Sequence, residues 1–251
     1  LGTGTPDPDC ETVGGTLNGP YCRFRYTDFD NIVEEEKHWQ IYSEATYEIT
    51  DTMTFNAEFL YARDEVKEWN TSPSYPPQAL LAGDTIVSPG MPHFDDFIAR
   101  NPGLAGDFAN GALVQGRTFG VSGPAQEGNR EYDTYRFNMG LEGEFNSIGY
   151  ITSLTYGKSE GDRFTNDTRT DNSAYAYRGL GGASCDRDAY YADPAGSGIV
   201  PGQGDCEYYN PFTSGFAVSQ AAGFEGTPSP GGDNAELNNS AELFDWLVEP
   251  V

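Results

Sequence analysis

The sequence predicts an all-β fold, part of a transmembrane antiparallel β-barrel with long extracellular loops, and three observations carry that expectation. Two pairs of neighbouring segments alternate apolar with polar residues, the period-two signature of a strand with one apolar face. Each pair is joined by a two-residue turn, Asp51–Thr52 in one and Asn146–Ser147 in the other. The pairs are flanked by long stretches rich in glycine and proline, so short turns lie at one end of the strands and long loops at the other, as in outer-membrane barrels.

Residues 1–37 read as an exposed loop, with Gly14, Gly15, Gly19 and Pro20 between Cys10 and Cys22 and the acidic run Glu34, Glu35, Glu36 behind them. Strands are expected near 38–50 and 53–63. Trp39, Ile41, Ala45, Tyr47 and Ile49 share one face with Met53, Phe55, Phe59 and Tyr61, while Glu44, Glu48 and Glu58 lie on the other. Residues 64–131 are too long for an ordinary connection in a compact domain. Within them HFDDFIA suggests a short helix around Pro92–Ala99, with Phe94, Phe97 and Ile98 on one side. The second hairpin is expected near 132–145 and 148–158, where Tyr135, Phe137, Met139, Leu141 and Phe145 join Ile148, Tyr150, Leu154 and Tyr156, with Arg136, Glu142 and Glu144 opposite. Residues 159–251 return to loop and end in NSAELFDWL, where Asn239 is placed to cap a helix and Glu242 follows three residues later.

Composition narrows the function. Thirty-nine acids against 14 bases in 251 residues argue against a phosphate-backbone partner, so nucleic acid is not expected. No run of eighteen apolar residues provides a spanning helix, but barrel strands are short and only half apolar. The chain begins at Leu1 without a leader, as a mature product or an excised piece would. The four cysteines allow three connectivities, and an oxidising compartment favours the local pairs Cys10 with Cys22 and Cys185 with Cys206. No CxxC or nearby histidine completes a metal set, and the acids at Asp95–Asp96 and Asp186–Asp188 lack an EF-hand pattern, so neither metal nor cofactor is expected. His38 and His93 are the only histidines, and HExxH, GxSxG and phosphate-cradling motifs are missing; no catalytic residue is assigned and no enzyme is expected. Two architectures stay open at this point: a membrane barrel whose apolar face meets lipid, with Trp39, Tyr61, Tyr135 and Tyr156 as interfacial aromatics, and a secreted carbohydrate-binding or adhesion β module whose apolar face is core. In either, the long loops are the expected ligand-contact region, through Trp69, Tyr75, Tyr175, Tyr177, Tyr190, Tyr191, Tyr208 and Tyr209.

The stretch from Cys22 to Pro77, CRFRYTDFDNIVEEEKHWQIYSEATYEITDTMTFNAEFLYARDEVKEWNTSPSYPP, resembles a segment of the large TonB-dependent outer-membrane receptors of Gram-negative bacteria. CEYYNPF at Cys206–Phe212 and AELFDWL at Ala241–Leu247 are similar to loop and post-loop segments of that family. The resemblance implies a parent protein with a 22-stranded barrel in the outer membrane. It also implies an N-terminal plug, and uptake of a scarce nutrient such as a metal chelate or an oligosaccharide driven by the TonB energy-coupling complex. Nothing in residues 1–251 resembles the plug, so residues 1–251 are expected to be a partial barrel region. Four strands alone cannot close such a barrel.

Overall fold

The computed structural model describes residues 5–12, 14–24, 32–71, 86–114, 126–219 and 225–250. Of these, 43% are strand and 19% helix, and the sheets are antiparallel. In chain order the elements are β1 (Gly15–Asn18), β2 (Tyr21–Phe24), β3 (Glu36–Thr50), β4 (Met53–Thr71), β5 (Ile86–Val87), α1 (Pro92–Arg100), β6 (Ala112–Leu113), β7 (Gln126–Phe145), β8 (Ile148–Thr168), α2 (Thr170–Tyr177), α3 (Arg187–Ala192), α4 (Ala241–Leu247) and β9 (Val248–Pro250). The chain divides into a sheet unit, Asn31–Trp69 with Glu127–Thr165, and a stapled unit, Leu1–Asp30 with Asn70–Gln126 and Asn166–Val251.

The sheet unit is a meander in the order β3-β4-β7-β8, which does not close on itself. Its register follows the alternation: Ile41 pairs Tyr61 and Tyr47 pairs Phe55 on one face, Glu44 pairs Glu58 on the other. In the second hairpin Phe137 pairs Tyr156 and Met139 pairs Leu154. Asn146 and Ser147 sit at φ of 51° and 65°, the left-handed pair that a two-residue type I′ turn requires. The Asp51–Thr52 turn is accommodated instead by a register shift between Glu48 and Thr50.

The strands outrun the expected boundaries. The expected ends at 63, 132 and 158 become 71, 126 and 168, so the regions 64–131 and 159–251 are not loop throughout. Beyond Tyr61 and before Tyr135 both faces carry charge, which hides the period from a hydrophobicity reading. The ladder is held there by cross-strand ion pairs: Arg63 with Glu131, Arg130 with Glu36 at 2.8 Å, and His38 with Asp64 at 2.5 Å.

The stapled unit has its own core. Phe94 and Phe97 of α1, Ala176 and Tyr177 of α2 and Leu243 and Leu247 of α4 pack with Val87, Tyr209 and Phe212. The α1 helix spans the expected turn, and its buried face is the expected one. In α4 the cap is Ser240, whose Oγ accepts from the Leu243 amide at 2.9 Å, rather than Asn239. Asn239 is committed elsewhere: its Oδ1 accepts from the Asn210 amide at 2.8 Å and its Nδ2 donates to the Asn210 carbonyl at 2.9 Å. Both disulfides take the local pairing, Cys10–Cys22 and Cys185–Cys206. The last residues of β8 belong to this unit and pair with β9, Thr168 opposite Val248.

Candidate functional site

Two surfaces concentrate the chemistry, one in each unit. The first is the apolar face of the four-stranded sheet. From the turn end it runs through Ile49, Tyr47, Ala45, Ser43, Ile41 and Trp39 on β3, and the neighbouring strands carry the same composition in register. These side chains are uncovered among the described residues: Trp39 is 64% exposed, Leu154 63% and Phe145 72%. A contiguous apolar face of this size marks a surface that meets something apolar.

The face changes chemistry at one level. Above Trp39, Tyr61, Tyr135 and Tyr156, the next outward positions are Lys37, Arg63, Asp133 and Lys158, with Glu65, Glu131 and Glu160 beyond them. Four strands switch from apolar to charged within one residue pair of each other. Tyr61 marks the boundary by stacking on Tyr135, ring centroids 4.9 Å apart, while its hydroxyl donates to Asp133 at 2.8 Å. Lys158 pairs with Glu160 at 2.5 Å just above it. The opposite face is mostly polar, interrupted by Tyr42, Leu60 and Ile151, with Thr46 donating to Asn56 at 3.1 Å and Thr155 to Asn138 at 2.8 Å across the strands. An open hollow of about 720 Å³ at its turn end is lined by Asp51, Thr54, Glu142, Glu144 and Tyr150.

The second surface gathers tyrosines around the Cys185–Cys206 disulfide. Both sulfurs are buried with Leu180, and Tyr175, Tyr190 and Ile199 pack against them. Tyr191 meets Tyr190 edge-on at 5.5 Å and Tyr175 at 6.1 Å, and it stays 50% exposed. Arg187 lies under this group, its guanidinium 4.8 Å from the Trp246 ring centre and 5.6 Å from that of Tyr175. Its Nη1 donates to the carbonyls of Gly182 at 2.7 Å and Leu180 at 3.3 Å, so the cation is spent on holding the loop. Tyr208 stands 5.4 Å from the buried ring of His93. Its ring lies on the backbones of Gly179 and Gly202, which both have φ of +76° and leave no room for a Cβ. Partial burial pushes the Tyr208 hydroxyl up from its ordinary value.

Of the expected ligand contacts, then, Tyr208 lies beside His93, while Tyr175, Tyr190 and Tyr191 come together. Tyr177 and Tyr209 do not. They form an edge-to-face pair at 5.2 Å inside the core, where burial drives both phenols well upward, and they serve packing rather than ligand contact. The helix explains the first split: two positions along α2 turn Tyr177 most of half a circle away from Tyr175. Tyr75 and the side chain of Trp69 lie outside the described residues. Sequence reasoning missed Arg187 and Trp246, for which separation along the chain offers no local signal.

Three of the four acids weighed for calcium have structural partners. Asp186 caps α3 by accepting from the Ala189 amide at 3.0 Å, Asp95 accepts from the Gly90 amide at 3.1 Å, and Asp96 pairs with Arg100 at 2.9 Å. No cluster of metal-ligating side chains occurs among the described residues. No protein-family model matches this chain, and no curated protein sequence matches it either.

Proposed function

We propose that this chain is a wall-and-loop segment of a TonB-dependent receptor in the outer membrane of a Gram-negative bacterium. Its parent binds a scarce nutrient, such as a metal chelate or an oligosaccharide, and imports it using energy delivered by the TonB complex through a plug region. The observation that carries the reading is the common level at which four strands switch from apolar to charged. From Ile49 to Trp39 and from Phe145 to Tyr135 the apolar stretch spans eleven residues. At about 3.4 Å per residue and a tilt of about 45° these cover roughly 24 Å, the height of a barrel's lipid-facing band. A ring of Trp and Tyr ends that stretch, where interfacial aromatics belong, and the ion-paired strand extensions suit water beyond it. The polar face suits a lumen or contact with a plug. The resemblance of Cys22–Pro77 to the receptor family supplies the transport part of the reading.

The test is a depth measurement by strand parity. Single cysteines in place of Leu154, Thr155 and Glu160 are labelled with an environment-sensitive fluorophore in the 251-residue chain reconstituted in phosphatidylcholine bilayers, and quenched with brominated acyl chains. Strong quenching at 154, weak at 155 and none at 160 is expected. Equal response at 154 and 155, in a chain that is monomeric and folded without lipid, would sink the reading in favour of a secreted carbohydrate-binding or adhesion module.

A further inference from the structure

We propose that the tyrosine patch over the Cys185–Cys206 disulfide is a binding site for a neutral saccharide, with Tyr191 as the stacking ring; this deepens the receptor reading and rests on it for its place at the cell surface. Tyr191 projects from α3 while its neighbours Tyr190 and Tyr175 are packed onto the disulfide, so a half-exposed ring is held on a rigid base. Such a ring offers a flat π-face, which suits the C–H face of a pyranose and loses little rotamer freedom on binding. Asp188, three residues before Tyr191 on α3, shares its side of the helix and is exposed, supplying carboxylate oxygens that accept from sugar hydroxyls.

Charge weighs against the main competitor. An anionic chelate needs free cations, best of all a bidentate guanidinium. The stapled unit contains 22 carboxylates, seven arginines and no lysine. Among the described residues the arginine that contacts the patch, Arg187, is sandwiched between rings and bonded to two carbonyls. Arg100 is paired with Asp9 and Asp96, Arg169 with Asp171, and Arg178 is engaged as well. A stacking ring flanked by an acidic acceptor, beside an arginine already bonded to two carbonyls, fits a neutral polyol.

The full 251-residue chain in detergent micelles, with Trp39→Phe and Trp69→Phe so that Trp246 is the sole fluorescent indole, is titrated with neutral hexasaccharides of glucose (α- and β-linked), mannose, xylose and galactose. At least one is expected to change the Trp246 emission saturably. Tyr191→Ala is expected to weaken it about tenfold, the loss of one stacked ring, while Tyr191→Phe stays within about threefold. Tyr21→Ala, at an exposed tyrosine elsewhere in the same unit, leaves it unchanged. The proposal is overturned if none of the hexasaccharides binds, if Tyr191→Ala binds as the parent does, or if tetramethylammonium chloride gives the response and the sugars do not. Bilayer insertion is read separately on the same protein. A chain that inserts without binding sugar loses this inference alone, and one that binds sugar without inserting loses the receptor reading alone.

Discussion

Tyr61 on β4 donates its hydroxyl to Asp133 on β7 while its ring lies against Tyr135, so one side chain faces apolar neighbours below and ionic ones above. The bond also ties Asp133 into the pair it forms with Arg63 at 3.7 Å. Tyr61→Phe keeps the stacked ring and removes the donor, and is expected to cost about 1 kcal/mol. Tyr61→Ala loses the ring as well and is expected to cost about 2 kcal/mol or more. Urea unfolding in micelles, followed by circular dichroism, measures both.

Leu154 and Thr155 are consecutive on β8 and point to opposite faces. Leu154→Arg puts a charge near the middle of the apolar stretch and is expected to cost about 2–4 kcal/mol of folding stability in a bilayer. Thr155→Arg, on the polar face, is expected to be close to neutral. Equal penalties in a denaturant series in lipid vesicles would show that the two faces meet the same medium.

Leu243 is fully buried where α4 meets α1 and α2. Leu243→Ala is expected to destabilise the stapled unit by about 2–5 kcal/mol, through lost transfer energy and the cavity left behind. Ser240→Ala, which removes the α4 cap, is expected to cost about 1 kcal/mol. Amide exchange resolved along the chain checks both, with protection lost in α1, α2 and α4 and retained in β3 and β4.

His93 is 1% exposed, wedged between Tyr208 and Phe212, and its Nε2 has no hydrogen-bond partner among the described residues. Burial lowers its pKa from 6.5 to about 4, with Asp95 opposing the shift. The unfolded chain therefore takes up a proton below about pH 6.5 that the folded chain refuses until about pH 4. The stability His93 lends is full above that window, falls through it by about 3 kcal/mol, and is flat below. His38 has the opposite sign. The bond to Asp64 raises its pKa, so its contribution is present at low pH and is lost as pH rises through the folded value, and exposure keeps it small. In denaturant series between pH 4 and 8, the difference between the parent and His93→Phe isolates the buried ring.

The apolar halves of the strands were legible because a period of two survives when one face meets an apolar medium. HWQIYSEATYEI shows it, and its two faces are the observed ones, although the pairing is displaced by the shift between Glu48 and Thr50. The charged halves were not legible, because RDEVKEW and NREYD carry charge on both faces and their pairing depends on partners such as Glu36 and Arg130, 94 residues apart. The short helices at HFDDFIA and AELFDWL were readable from the spacing of Phe94, Phe97, Leu243 and Leu247. The core they build was not, since Val87, Tyr209 and Phe212 come from segments without periodicity. The tyrosine doublets show the same limit at the candidate site. YAY at 175–177 gives one ring to the patch and one to the core, and YY at 208–209 gives one ring to Gly179 and Gly202 and one to the core, a division set by local backbone direction rather than by composition.

The outer side of β3 and most of the outer side of β8 carry no strand partner among the described residues. A row of unpaired amides and carbonyls fifteen residues long is a template for any extended chain that meets it. This polypeptide is therefore inclined to stack on itself, with identical edges joining into fibrils. Its preparation calls for denaturant-solubilised material refolded into micelles or vesicles rather than dilution into plain buffer.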